Sequence, residues 1–139
     1  MARNFGYFSL RGDFEPDDIS QQLGLNPTWS QRKGDIHPGS GRPRLNDEWC
    51  VACAEDDFGD VADQISSLVT KLLPKAATVA ELSTKFDGTM YLVAYLNGNY
   101  PGFFLHASIM RDLVSLNVDL DCEYIYASDE PIEDGNSAD

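Results

Sequence analysis

Four cations crowd into thirteen positions of a chain that otherwise leans heavily to acid: Arg32, Lys33, Arg42 and Arg44. Against Asp35 they leave the stretch from Trp29 to Asn46 at a local charge of +3, while the rest of the protein sums to -16. Trp29, His37 and Trp49 lie in or beside the same stretch. Guanidinium groups offer paired coplanar donors and aromatic rings offer flat surface, a combination suited to a carboxylate, a phosphate or an acidic peptide. Trp29, Arg32, Lys33, His37, Arg42, Arg44 and Trp49 are therefore the candidate ligand-binding residues. The competing account is internal: the bases neutralise the domain's own acids and the tryptophans anchor its core.

Other chemistry-bearing patterns are explained by architecture. Cys50 and Cys53 have the spacing of redox and zinc motifs, but thioredoxin-type chemistry needs its first cysteine at a helix N-terminus, and this pair falls in a predicted strand. Three apart on a strand, the two thiols point to opposite faces, and no second pair completes a tetrahedral zinc site. With Cys122 the count is odd, which fits free thiols in a reducing compartment. Asp119, Asp121 and Glu123 alternate along the last predicted strand as metal ligands can, yet Val118, Leu120, Cys122, Tyr124 and Tyr126 form a complementary apolar face, the pattern of a half-buried strand. No metal and no cofactor is called for. The two histidines, His37 and His106, sit in no recognisable motif, and there is no nucleophile elbow, phosphate loop or dinucleotide fingerprint, so the sequence names no catalytic residue.

Charge narrows the partners. Twenty-three acids against ten Lys and Arg give a formal net charge of -13, which repels nucleic acid and anionic lipid and attracts basic proteins. The sequence thus points to a non-enzymatic binding or interaction protein, with no nucleic acid and no membrane among its partners. One concrete form is an immunity-type inhibitor whose carboxylates cover the basic active site of a toxin. The alternative is a small-molecule-binding or catalytic domain whose anionic ligand is held by the basic loop 29–49. No apolar run is long enough to span a bilayer and the N-terminus lacks a signal-peptide core, so a cytoplasmic location is expected.

The elements that position these residues follow from periodicity and punctuation. At 139 residues the chain suits one hydrophobic core. A strand is expected from Phe5 to Arg11, then a helix opened by Pro16 and stopped by Gly24. A mostly irregular stretch runs from Asn26 to Asp47, with a short extended piece at Thr28 to Arg32, and a strand resumes from Glu48 to Ala54. Asp56, Asp57, Asp60 and Asp63 read as charge at the start of a helix whose stripe is Val61, Ile65, Leu68, Val69 and Leu72, ending at Pro74. A further helix covers Ala76 to Phe86, an Asp87-Gly88 turn leads to a strand from Met90 to Leu96, and Asn97 to Gly102 forms a loop. A helix near His106 to Leu116 and a strand from Val118 to Ala127 complete a single domain over 1–127, and 128–139 is an acidic tail expected to be disordered. The fold expected is α+β: a two-layer sandwich, a mostly antiparallel four-stranded sheet with helices on one face, built from duplicated ferredoxin-like strand-helix-strand units.

The run Gly12-Asp13-Phe14-Glu15-Pro16-Asp17-Asp18-Ile19, then Leu23-Gly24-Leu25-Asn26-Pro27-Thr28, Lys33-Gly34-Asp35 and Trp49 resembles the signature of an uncharacterised bacterial group, domain-of-unknown-function family 4279. Leu116-Asn117-Val118, with Leu120-Asp121 ahead of Tyr126, is similar to that family's closing strand. The resemblance implies a small bacterial α+β protein and brings no activity, cofactor or catalytic residue with it.

Overall fold

The computed structural model describes residues 5–53, 61–96 and 104–126. The expected helix-start acids Asp56, Asp57 and Asp60, the loop from Asn97 to Gly102 and the 128–139 tail lie outside the described residues. Strand β1 (Phe5–Gly12) leads into helix α1 (Pro16–Leu23), and the short strand β2 (Trp29–Gln31) is followed by β3 (Asp47–Ala52). Helix α2 (Val61–Leu72) passes through a 3-10 turn (Leu73–Lys75) into α3 (Ala76–Lys85), then β4 (Asp87–Leu96), α4 (Ala107–Ser115) and β5 (Asp119–Tyr126).

Local chemistry accounts for several boundaries. Pro16 opens α1, where its missing N–H is no loss, and Gly24 closes it at a φ of 65°, donating its N–H to Ser20 O at 2.8 Å. Pro74 ends α2 by forcing the tighter turn, yet the chain resumes helical geometry at once in α3. Asp87 and Gly88 form no turn: they begin β4, because Gly88 lies directly beneath α3, where a Cβ would sit 2.3 Å from Ser83 Oγ. That glycine serves a close helix-strand approach.

The sheet corrects the expected architecture in two respects. It has five strands, in the order β2-β3-β1-β4-β5, rather than four, and although three of its four pairings are antiparallel the fourth is parallel, so the sheet is mixed. The fifth strand is β2, where Trp29 pairs with Cys50 and Gln31 with Glu48. β1 runs antiparallel to both β3 and β4, whereas β5 lies parallel to β4, since α4 carries the chain back along the sheet between them. A duplicated ferredoxin-like plan is not confirmed, because β1 and β3 join antiparallel while β4 and β5 join parallel.

The α+β class and the two layers stand. Phe8, Leu10, Trp49, Val51, Met90, Leu92 and Ala94 share one sheet face and pack with Ile19, Leu23, Ile65, Leu68, Leu72, Val79 and Leu116 from the helices. On the opposite face, register brings Tyr7, Ser9 and Arg11 beside Ala52, Cys50 and Glu48, with Tyr91 and Thr89 on the far side. Among the described residues no helix packs on this second face. It carries the candidate site.

Candidate functional site

The stretch 32–46 is an ordered arm, tied along its length. His37 N donates to Arg42 O at 2.8 Å, Arg44 N to Asp35 O at 2.7 Å and Gly34 N to Arg44 O at 2.9 Å, with Ile36 bridging to Pro43. Gly34 and Gly41, at φ of 94° and 70°, make the reversals a side chain resists. Asp35 Oδ2 accepts from Arg32 N at 2.8 Å.

At the arm's root, Asp47 Oδ1 accepts from Lys33 N and Oδ2 from Phe14 N, both at 2.8 Å. One buried carboxylate thus fastens the arm to the β1–α1 connection. The two backbone donors, Lys33 first, hold its carboxyl below the usual carboxylate range. Sequence gave no sign of this residue's role, since an acid closing a loop and an acid anchoring one look alike.

The arm leans over the helix-free face and encloses a cleft of about 280 Å³. His37, Arg42 and Arg44 line its arm side, and Arg11, Gln31 and Glu48 project into it from β1, β2 and β3. Arg11 Nη2 stands 3.3 Å from Glu48 Oε2, which also accepts from Ser9 Oγ at 3.1 Å, so the floor carries its own neutralised pair. His37 Nδ1 accepts from Gly39 N at 2.9 Å and Ser40 N at 3.2 Å, which leaves Nε2–H as the donor of the neutral ring. Among the described residues neither Arg42 nor Arg44 pairs with a carboxylate.

The seven sequence candidates therefore separate. His37, Arg42 and Arg44 come together in the cleft. Arg32 instead bonds Glu15 and stands 3.6 Å from Asp17, and its hydrogen bond holds the Glu15 carboxyl below the usual range. Lys33 is exposed and contributes its backbone N–H at the root. Trp49 is wholly buried on the opposite, core face, donating Nε1–H to Ser20 Oγ at 3.0 Å. Trp29 lies half-buried on the helix-free face, its ring centroid 5.0 Å from that of Tyr7. Arg11, Gln31 and Glu48 escaped notice because only cross-strand register places them under the arm.

Cys50 lies within β3 and Cys53 just past its end, where the Cys53 thiol donates to Gln64 O at 3.4 Å. Burial, and after it the Glu48 charge, pushes the Cys50 thiol up to about 12, so it is inert as a thiolate nucleophile. Among the described residues no cluster of His, Cys, Asp or Glu can hold a metal, and no helix is long and apolar enough to cross a membrane.

Fold and site together define a two-layer α+β domain with one sheet face free of described helices and a cationic cleft beneath an ordered arm. The family model for a domain of unknown function, DUF4279, matches residues 4–127. The chain belongs to that family. No curated protein and no solved structure matches it.

Proposed function

We propose that this domain binds a small anion, a phosphate or carboxylate group, in the cleft beneath the arm. The observation that carries this is that Arg42 and Arg44 pair with no carboxylate among the described residues, on a molecule whose net charge is -13. Long flexible bases on so acidic a protein gain from any carboxylate within reach, and Arg32 has found two. The backbone bonds of the arm hold Arg42 and Arg44 out over a concavity, which leaves their donors for a ligand. Glu48 is taken up by Arg11, so an anion would be met by Arg42, Arg44 and the His37 Nε2–H.

The test is thermal denaturation with inorganic phosphate and with a tricarboxylate. Ligand at ten times its Kd is expected to stabilise the fold by about 1.4 kcal/mol, roughly 5 °C in Tm. Arg42→Ala with Arg44→Ala should remove that rise, and a response of the same size in the double variant would eliminate the cleft.

A second reading rests on β5, an edge strand, along which Asp119, Asp121 and Glu123 are all exposed. Such a stripe would steer a basic partner, as an immunity-type inhibitor steers a toxin. At low salt a basic protein should be retained by the native chain and released by Asp119→Asn, Asp121→Asn, Glu123→Gln. Equal retention by both would count against it.

A further inference from the structure

The cleft does not end at its cations. Beside its floor, on the same helix-free face, lies a cluster of rings, Tyr7, Trp29 and Tyr91 half-buried and Phe5 exposed. Trp29 and Tyr7 belong to strands separated by β3, yet their centroids are 5.0 Å apart, with the ring planes tilted by 59°. They meet because the intervening residues on that face, Cys50 and Ala52, are small and lie buried beneath them. Tyr91 stacks on Tyr7 from the other side at 5.1 Å and 24°, and Phe5 lies 6.3 Å from Trp29 at 19°. The result is an aromatic shelf drawn from β1, β2 and β4.

The shelf and the cleft are joined at β2. Gln31 lines the cleft, and Trp29 stands two residues away on the same strand face, a step of about 6.8 Å. Between the cations and the first ring, Gln31 Oε1 is shielded from solvent with no hydrogen-bond partner among the described residues. A buried acceptor left unpaired is costly, and a turn of the Gln31 amide toward the cleft it lines would let a ligand O–H or N–H answer it.

Resting on the anion-binding reading above, we infer that the ligand is a mononucleotide, its phosphate held by Arg42 and Arg44, a sugar hydroxyl donating to Gln31 and its base stacked on Trp29 with the tilted Tyr7 ring against its edge. Every base presents a flat π-face, and aromatic side chains hold such faces by stacking. A lone carboxylate or phosphate leaves both the shelf and Gln31 unused. A polynucleotide is disfavoured by the field of a chain at -13, which one or two ligand charges in a cationic cleft escape.

Isothermal titration with AMP, CMP, adenosine and inorganic phosphate separates the two levels of the argument. AMP is expected to bind at least about tenfold tighter than phosphate, the worth of one stacked base. Trp29→Leu and Tyr7→Leu should each shrink that advantage while leaving phosphate affinity as it was, and Trp29→Phe should restore most of it. Melting curves identify any variant that fails to fold, and either ring suffices for the test. If phosphate binds but AMP binds no tighter, or if the advantage survives both ring variants, the nucleotide inference falls and the anion site stands. If neither phosphate nor AMP binds, both fall.

Discussion

Trp49→Ala is expected to destabilise the fold by about 4 kcal/mol, within the range found when a buried Trp or Phe is cut back to alanine. That corresponds to a fall of roughly 15 °C in Tm for a domain of this size. The side chain is fully buried, meets Phe8 edge-on with centroids 6.4 Å apart, and sits among the core residues of β1, β3 and α1. Removing it opens a cavity that the surrounding strands cannot close, because their positions are set by backbone ladders on both sides of β3. Trp49→Phe keeps one of the two rings and loses the Nε1–H bond to Ser20 with part of the packing, so about 2 kcal/mol is expected. Urea unfolding followed by circular dichroism measures both. Because Trp49 points away from the cleft, anion affinity in folded Trp49→Phe should equal that of the native chain. A loss of affinity with stability intact would return Trp49 to the site.

The contrast between Trp49 and Trp29 shows how far sequence reached. Both tryptophans flank the basic stretch, and composition treats them alike. Strand alternation separates them only once register is known, because Trp29 faces Cys50 and Trp49 faces Leu10. Elements governed by local chemistry were legible: α1 between Pro16 and Gly24, the stripe of α2, and α4 from Ala107 to Ser115. What required distant partners was not. The extended piece expected at Thr28 to Arg32 is present as β2, but that it joins the sheet as a fifth strand depends on pairing with β3. The alternation of β5 is the same whether it runs parallel or antiparallel to β4, so its direction depends on the path of α4.

The site divides along the same line. The clustering of Arg32, Lys33, Arg42 and Arg44 is a fact of sequence, but Arg32 is taken by Glu15, seventeen positions earlier, across a fold the sequence does not display. Arg11 and Glu48 enter the cleft together from 37 positions apart. The aromatic shelf is assembled from three strands, and no window of the chain contains it. Charge excess could therefore be seen in advance, and its division into spent and available cations could not.

Asp47→Ala should cost about 3 kcal/mol, or about 10 °C in Tm, and should weaken anion binding as well. The carboxylate is buried and accepts two backbone N–H bonds, from Phe14 ahead of α1 and from Lys33 at the root of the arm. Alanine leaves both donors without a partner and detaches Arg42 and Arg44 from a fixed base, so that part of any binding energy is spent on reordering the arm. The charge gives the effect a pH signature. Because the folded carboxyl titrates below the unfolded value of about 3.9, the unfolded chain binds more protons in that window. The contribution of Asp47 is thus complete above about pH 4 and is lost as pH falls through the folded pKa. Asp47→Asn, which keeps shape and one acceptor, should melt lower than the native chain at pH 7 and converge on it in strong acid. Parallel stability curves across that range would mean that the carboxylate's charge plays no part, and an Asp47→Ala variant that melts lower yet binds phosphate as tightly as before would separate the arm's anchorage from the cleft's affinity.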